Sequence, residues 1–190
     1  QAALLTTLEA MLESRPHGLA AGLVGLPVLD RALDHSAAEI YRRSFPLLVV
    51  SAALLLAMTF RGARAVLLPL LFVGFCELVL FGAMGYAGIS LNLVLAILPP
   101  VLFVIALASA VHVLTRFRFL RERGLDAEAA VRGTYRDKGA ALAWTSASTF
   151  AGFGSLSTSA VAPVRSLGLW AMAGIAVMAL AAFTLLPALL

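Results

Sequence analysis

The stretch "AVLLPLLFVGFCELVLFGAMGY", residues 65–86, contains one charged side chain, Glu77, in a run that is otherwise apolar or small. A helix rises about 1.5 Å per residue, so a helix of this length reaches across the ~30 Å hydrocarbon layer of a membrane. The stretch therefore predicts a transmembrane helix with a carboxylic acid in its interior. That acid needs a physical explanation, because lipid offers it no water.

The composition of the whole chain indicates lipid as its solvent. Hydrophobic residues make up 62% of the chain and charged residues 13%, against about 25% charged in typical soluble proteins. The charges fall in residues 1–43, 61–64 and 116–138, apart from Glu77 and Arg165. The net charge of +4 therefore belongs mainly to loops between apolar runs, which favours a membrane topology over nucleic-acid binding.

Five runs are long and apolar enough to cross a membrane, so the sequence predicts an all-α bundle of five transmembrane helices. The expected spans are residues 44–60, 65–86, 91–115, 140–161 and 167–190. Within the third span, the prolines of "LPP" (98–100) remove backbone hydrogen bonds and predict a kink.

The segment before the first span predicts an entry helix and the edge of a second domain. Residues 1–26 are expected to end an extracytoplasmic domain, and residues 27–190 to form the transmembrane domain. After Pro27, which is favourable in a first helical turn, apolar residues recur at helical spacing and predict one continuous helix into the membrane: Leu29, Leu33, Ala37 and Ile40. Because the chain begins without Met or a signal-peptide pattern, we expect it to be part of a longer polypeptide.

Arginine and lysine predict the orientation of the bundle. Loops 61–64 and 116–139 together carry eight arginines and one lysine, whereas the opposite loops 87–92 and 155–165 carry Arg165 as their one basic residue. The positive-inside rule therefore places the two basic loops in the cytoplasm and residues 1–40 outside, in a multi-pass protein of the cell (inner) membrane.

The second basic loop also predicts a short helix at the cytoplasmic interface. Asp126 can cap it, and Glu128 and Arg132 form an i, i+4 pair. This interfacial helix is expected to end near Lys138, before the fourth span begins.

Glu77 is the first candidate functional residue. A carboxylate near the middle of the membrane costs several kcal/mol, so the group should be largely neutral unless a partner or water reaches it. Such a group can carry a proton. It can also hydrogen-bond a neighbouring helix as structural glue, and Gly74 on the same face would let that helix approach. The sequence leaves both interpretations open.

The third span carries a second candidate group. Ser109, His112 and Thr115 share one helix face at i, i+3 spacing. Histidine changes charge near neutral pH, so His112 and Ser109 are proton-relay candidates. His112 is also about one turn from Arg116, where it could simply extend toward the interface.

The fourth span is dominated by small and hydroxyl residues that favour close helix packing. One face is expected to form a polar stripe in the core of the bundle: Thr145, Ser148, Thr149, Gly152 and Ser155. The sequence predicts neither catalysis nor a cofactor. Ser109 and His112 lack an evident supporting acid or oxyanion device, and the single Cys76 excludes a multi-cysteine metal site.

Six segments in this order resemble the resistance-nodulation-division (RND) superfamily, closest to its MmpL-like and hydrophobe/amphiphile exporter branches. They are "GLPVL" (25–29), "FRGARAVLLPLL" (60–71), "GYAGISLNLVLAILPPVL" (85–102), "HVLTRFRFLRERGLDAEAAV" (112–131), "TSASTFAGFGSL" (145–156) and "VRSLGLWAMAGI" (164–175). The similarity extends from Gly25 to the end of the chain. The same block in Patched-like proteins is called a sterol-sensing domain.

The resemblance implies five helices from one half of a transporter that exports lipids or other hydrophobic or amphiphilic compounds, driven by proton entry. It implies as partners a second transmembrane half and porter domains in the same polypeptide, and a possible homo-oligomer. The family's usual coupling aspartates align with Ala108 and Ser109, so that acid is missing here. The alternative is a sterol- or lipid-sensing module that binds without pumping.

Overall fold

The structure is a computed structural model that describes residues 26–60, 62–89 and 92–190. In this part of the chain all regular secondary structure is helical, as the sequence predicts. The elements are α1 (Leu26–Thr59), α2 (Ala63–Tyr86), a 3₁₀ turn (Leu95–Ile97), α3 (Leu98–Glu122), α4 (Ala127–Leu156) and α5 (Ala162–Leu189). The expected domain end at residues 1–26 lies almost entirely outside the described residues.

Four of the five predicted spans are confirmed as helices with the length and composition to cross a membrane. They are Arg42–Thr59, Ala63–Tyr86, Leu95–Glu122 and Ala162–Leu189. Their outward surfaces carry exposed leucines, such as Leu78 at 73% and Leu180 at 68% exposure. A helix that is apolar on all sides is suited to lipid on one side and protein on the other.

The predicted continuous entry helix is present as α1, whose backbone is helical from Leu26 to Thr59 with Pro46 inside it. The side chains that would make its first part amphipathic lie outside those described. The predicted kink at "LPP" is wrong. Pro99 and Pro100 stand in the first turn of α3, where a missing backbone N–H removes no helical hydrogen bond. Before them, the Asn92 side chain accepts a hydrogen bond from the Leu95 N–H at 2.9 Å.

The predicted interfacial helix is not a separate element. Asp126 caps α4 as expected, accepting a hydrogen bond from the Ala129 N–H at 2.7 Å, and Arg132 pairs with Glu128. The helix then runs on without a break to Leu156. It passes Gly139 in close packing with α5, where an added Cβ would lie 3.7 Å from the Phe183 ring.

The helix α4 covers most of the predicted fourth span, residues 140–161, although its small polar residues leave it outside the group of clearly apolar helices. The start of α2, the end of α3, the start of α4 and the end of α5 all border one groove, at Ala63, Leu114, Ala127 and Leu189. Since α5 starts at the opposite end, directly after α4, the helix α4 also runs from one end of the bundle to the other. Both basic segments therefore meet at one end, which we call the basic end.

The core of the bundle is formed by α2, α3 and α5. Its largest fully buried side chains include Phe72, Leu80, Met84, Val113, Ile175 and Leu186. Along α5, α4 packs antiparallel: the Tyr135 hydroxyl donates to the Ala182 carbonyl, and near the other end an added Cβ at Gly154 would lie 3.3 Å from the Met172 sulfur. These contacts fix α4 to one side of the bundle.

An ion pair ties α3 to α4 near the basic end, and its removal should cost a little stability. The Arg116 Nε donates to Asp137 Oδ2 at 2.8 Å, with side-chain exposures of 30% and 39%. Because water screens such a pair, Asp137→Asn should lower the free energy of unfolding by about 0.5–1 kcal/mol at low salt and by less at high salt. Thermal unfolding of the purified full-length protein in detergent measures both values.

The matched control is Glu128→Gln, which removes the more exposed pair with Arg132 within one helix. We expect it to change stability by less than about 0.5 kcal/mol. An equal effect of the two variants would contradict the assignment of an interhelical role to Arg116 and Asp137.

Candidate functional site

Glu77 lies on α2 beside the face that enters the core. Its neighbours Val73, Cys76 and Leu80 are buried. Both of its carboxylate oxygens are shielded from solvent, and neither has a hydrogen-bond partner among the residues that the structure describes. The structural-glue interpretation requires a hydrogen bond to a neighbouring helix, and the described residues supply none.

A groove borders Glu77 on the side of α1. Its volume is about 350 Å³, and α1, α2 and α3 contribute its walls: Phe45, Val49, Leu70, Val73, Gly74, Glu77, Leu78, Phe81 and Phe103. The rings of Phe45 and Phe103 pack edge to face with their centroids 5.8 Å apart. Glu77 is the single ionisable group among these lining residues, so the groove is an apolar space with one acid in its wall.

On the side of α5, the surroundings of Glu77 are tightly closed. A void of about 10 Å³ lies among Cys76, Glu77, Leu102, Ala106, Gly174 and Met178, which is at the lower limit of the space that a single water molecule needs. A Cβ added at Gly174 would lie only 2.5 Å from Leu102 Cδ1. The acid is therefore enclosed by α3 and α5 on one side and faces the wider groove on the other.

This arrangement suits a group that gains and loses a proton. An unpaired carboxylate in an apolar site is expensive, so the neutral acid is the favoured form while water is excluded. The groove has room for several water molecules at about 30 Å³ each, or for part of an apolar ligand. Entry of water or of a ligand's polar group would change the preferred protonation state of Glu77. In the described part of the chain, no three His, Cys, Asp or Glu side chains come together as they would around a metal ion.

The other relay candidates lie on a different surface. Ser109 is half-buried and donates from Oγ to the Ile105 carbonyl at 3.0 Å, while His112 is exposed on the outside of α3. Ala106, which borders the void at Glu77, precedes His112 by roughly 9 Å along the helix axis. As their predicted depths indicate, the structure does not bring Glu77 together with His112. Ala108, which precedes Ser109 on α3, is exposed.

Among the described residues, the predicted polar face of α4 is not covered by another helix. Thr145, Ser148 and Ser155 are exposed and Thr149 is half-buried. Three of these hydroxyls donate to backbone carbonyls of the same helix: Ser148 and Thr149 to Thr145, and Ser155 to Gly152. The buried residues of α4 are Ala130, Thr134 and Gly139. Hydroxyls that are satisfied within their own helix do not require a buried partner.

The sequence did not predict which residues of other helices surround Glu77. Phe45 and Phe103 pack against each other in the wall of the groove. Gly174 has no side chain, which leaves room for Leu102 and Leu80 to pack against it. No periodic signal marks these residues, because the spans are apolar on every side and one phenylalanine or glycine among many stands out only through a tertiary contact. The one available signal was Glu77 itself.

Comparison with known proteins gives two findings. The model of the MMPL family matches residues 2–190 of the chain, which include every described helix. The chain is also similar to a protein of Methanocaldococcus jannaschii that is named as a membrane protein, at 25% identity over 175 residues. That match covers 92% of this chain and 45% of the other protein, so the chain spans about half the length of the curated relative it matches.

Proposed function

The chain belongs to the MMPL family, and from this premise we propose that it forms one transmembrane half of a transporter that exports lipids or other amphiphilic compounds. We propose that proton movement drives the export and that Glu77 carries the proton. Its proposed partners in the same polypeptide are the second transmembrane half and the porter domains. We also propose that copies of the full protein can assemble into a homo-oligomer.

One observation carries the proposal: a carboxyl group with two buried oxygens, no described hydrogen-bond partner, and an apolar groove beside it. A purely structural role does not explain a buried acid without a partner, because an apolar side chain would fill the same space without the cost of burying a polar group. A proton carrier needs both a neutral state that is stable in the closed bundle and a route by which water can reach it. The groove provides the route.

Protonation of Glu77 can be coupled to packing because its surroundings come from four helices. Lining residues of the groove and the void belong to α1, α2, α3 and α5. Ionisation of the acid favours a wetter and wider groove, whereas protonation favours closure of Phe45 and Phe103 over it. Each proton would therefore bias the bundle between two packings, which is what transport by alternating access requires.

The orientation that we propose follows from the positions of the basic residues. Arg64, Arg118 and Arg121 lie around one groove at the basic end, and the positive-inside rule assigns that end to the cytoplasm. The amino-terminal residues would then lead to an outer domain, toward which the substrate moves. The protein would be a multi-pass protein of the cytoplasmic membrane.

Glu77→Gln tests this function, because glutamine keeps the size of the side chain and cannot exchange a proton. The full-length protein is reconstituted into liposomes that contain the pH dye pyranine and a fluorescent phosphatidylethanolamine, and the outside is acidified. We expect proton uptake and lipid movement to fall to the rates of protein-free liposomes in this variant.

Two controls accompany the test. Glu128→Gln makes the same chemical change at an exposed acid of α4 and should leave both rates unchanged. His112→Ala separates the relay candidates, since a loss of proton uptake in this variant would add the outer face of α3 to the pathway. Normal rates in both Glu77→Gln and His112→Ala would remove these residues from the mechanism.

A sterol- or lipid-sensing module is the second candidate function. The feature that favours it is Ala108–Ser109, which stands where related exporters carry coupling aspartates. A sensor would bind lipid with an affinity that is independent of a proton gradient and would move neither protons nor lipid in the liposomes. We propose transport or sensing, and not catalysis, for this domain.

A further inference from the structure

A second groove lies at the basic end, away from Glu77. Its volume is about 820 Å³, and it lies between the start of α2, the end of α3, the start of α4 and the end of α5. A volume of this size is within the usual range for small-molecule sites. Nothing in the proposed proton pathway uses this groove.

The mouth of the groove carries three arginines and no acid among its lining residues: Arg64, Arg118 and Arg121. Two of them are held in place. The Arg118 guanidinium lies over the Phe60 ring, 5.5 Å from its centroid, and Arg121 Nη1 donates to the Leu125 carbonyl at 2.9 Å. Guanidinium groups present several donors in a planar fork, which suits the oxygens of a phosphate group.

The rest of the groove is apolar and extends toward the middle of the bundle. Leu67, Leu68 and Leu71 line it on α2, and Leu114 lines it on α3. Leu71 lies about 10 Å beyond Arg64 along α2, and its side chain is 60% exposed. A ligand that fits both parts has an anionic head and a hydrocarbon chain.

We propose that this groove binds one anionic phospholipid, with the phosphate at Arg64, Arg118 and Arg121 and an acyl chain along Leu67, Leu68 and Leu71. The end of a transmembrane bundle lies at the depth of the headgroups, so the arginines meet lipid phosphates in the membrane itself. The site is separate from the Glu77 groove and does not depend on transport. The bound lipid would brace the ends of α2, α3 and α5.

A soluble phosphate compound shares the head chemistry but not the hydrocarbon chain. It would bind at the arginines alone, and its binding would not depend on the leucine wall. A protein segment would need acidic residues at the mouth and an apolar stretch beyond them. Each alternative predicts a different outcome in the following experiment.

The experiment measures lipid retained by the purified full-length protein, using native mass spectrometry with added phosphatidylglycerol or phosphatidylcholine. The variant Arg118→Gln/Arg121→Gln is compared with Arg132→Gln/Arg136→Gln, which removes the same charge from exposed positions of α4. We expect phosphatidylglycerol binding to weaken about tenfold or more in the first variant and less than about twofold in the second. Phosphatidylcholine should be retained weakly in every case.

A second variant, Leu71→Trp, fills the apolar part of the groove while keeping all three arginines. It should also weaken phosphatidylglycerol binding, which a diffuse attraction between charges would not. If both double variants weaken phosphatidylglycerol binding equally, general surface charge attracts the lipid, and the proposed site is wrong. Full displacement of the lipid by millimolar inorganic phosphate would assign the arginines to a soluble anion. No retained phosphatidylglycerol in the wild-type protein would overturn the proposal.

Discussion

Gly168→Ala is expected to lower the free energy of unfolding by about 3 kcal/mol, near the upper end of the usual cost of overpacking. Gly168 is buried in α5, and a Cβ at this position would lie 2.6 Å from the backbone nitrogen of Ser157 and 2.9 Å from the carbonyl carbon of Leu156. These are backbone atoms at the end of α4, so no flexible side chain can move aside. The added methyl group must push the two helices apart.

Thermal unfolding of the full-length protein in detergent, followed by size-exclusion chromatography, measures this loss. Gly152→Ala is the matched control, because an added Cβ there meets nothing within 4 Å and alanine favours the helix by about 0.5–1 kcal/mol over glycine. Gly174→Ala should fall between them, since its close neighbours are the ends of Leu102 and Leu80. A Gly168→Ala protein as stable as wild type would contradict the close approach of α4 and α5.

Much of the fold follows from the sequence because a membrane imposes one simple requirement. A span must be a helix whose apolar length matches the hydrocarbon layer, and composition shows where such a helix can lie. Residues 65–86 meet that requirement with a single charge, and α2 covers them. The same argument located α3 and α5, although α3 begins and ends seven residues later than the expected 91–115.

The structure differs from the sequence-based expectation where a local pattern has two structural outcomes. Paired prolines can kink a helix or begin one, and the 3₁₀ turn at Leu95–Ile97 allowed Pro99 and Pro100 to begin α3. Small hydroxyl residues can line a helix contact or satisfy themselves within the helix, as Ser148 and Thr149 do. Only the packing of neighbouring helices decides between such outcomes, and periodicity does not report it.

The sequence predicted one part of the candidate site, Glu77, but not the residues of other helices that surround it. Glu77 was evident because one acid in an apolar run is unusual, and its depth followed from counting residues. The closeness of Gly174 on α5, and the cover provided by Phe45 on α1, depend on how three distant segments meet. These contacts change the interpretation of Glu77 from helix glue toward a group whose burial is costly.

Glu77→Leu should therefore raise the free energy of unfolding by about 1–3 kcal/mol, the usual cost of burying a polar group without a partner. Leucine has a similar volume and suits the surrounding Val73, Leu102 and Met178, which line the groove or the void, so the substitution opens no large new cavity. If Glu77 were glue, the same substitution would remove an interhelical hydrogen bond and lower stability. The sign of the change in thermal stability decides between the two roles.

Glu122→Leu is the control for this measurement. It makes the same substitution at an exposed acid near the end of α3, where no polar group is released from burial, so stability should change by less than about 0.5 kcal/mol. The Glu77→Leu protein should also be inactive in the liposome assay, because leucine carries no proton. A substitution that stabilises the bundle and abolishes transport would show that Glu77 is kept for its chemistry, at the expense of stability. If Glu77→Leu instead lowers the stability of the protein, Glu77 has a structural role.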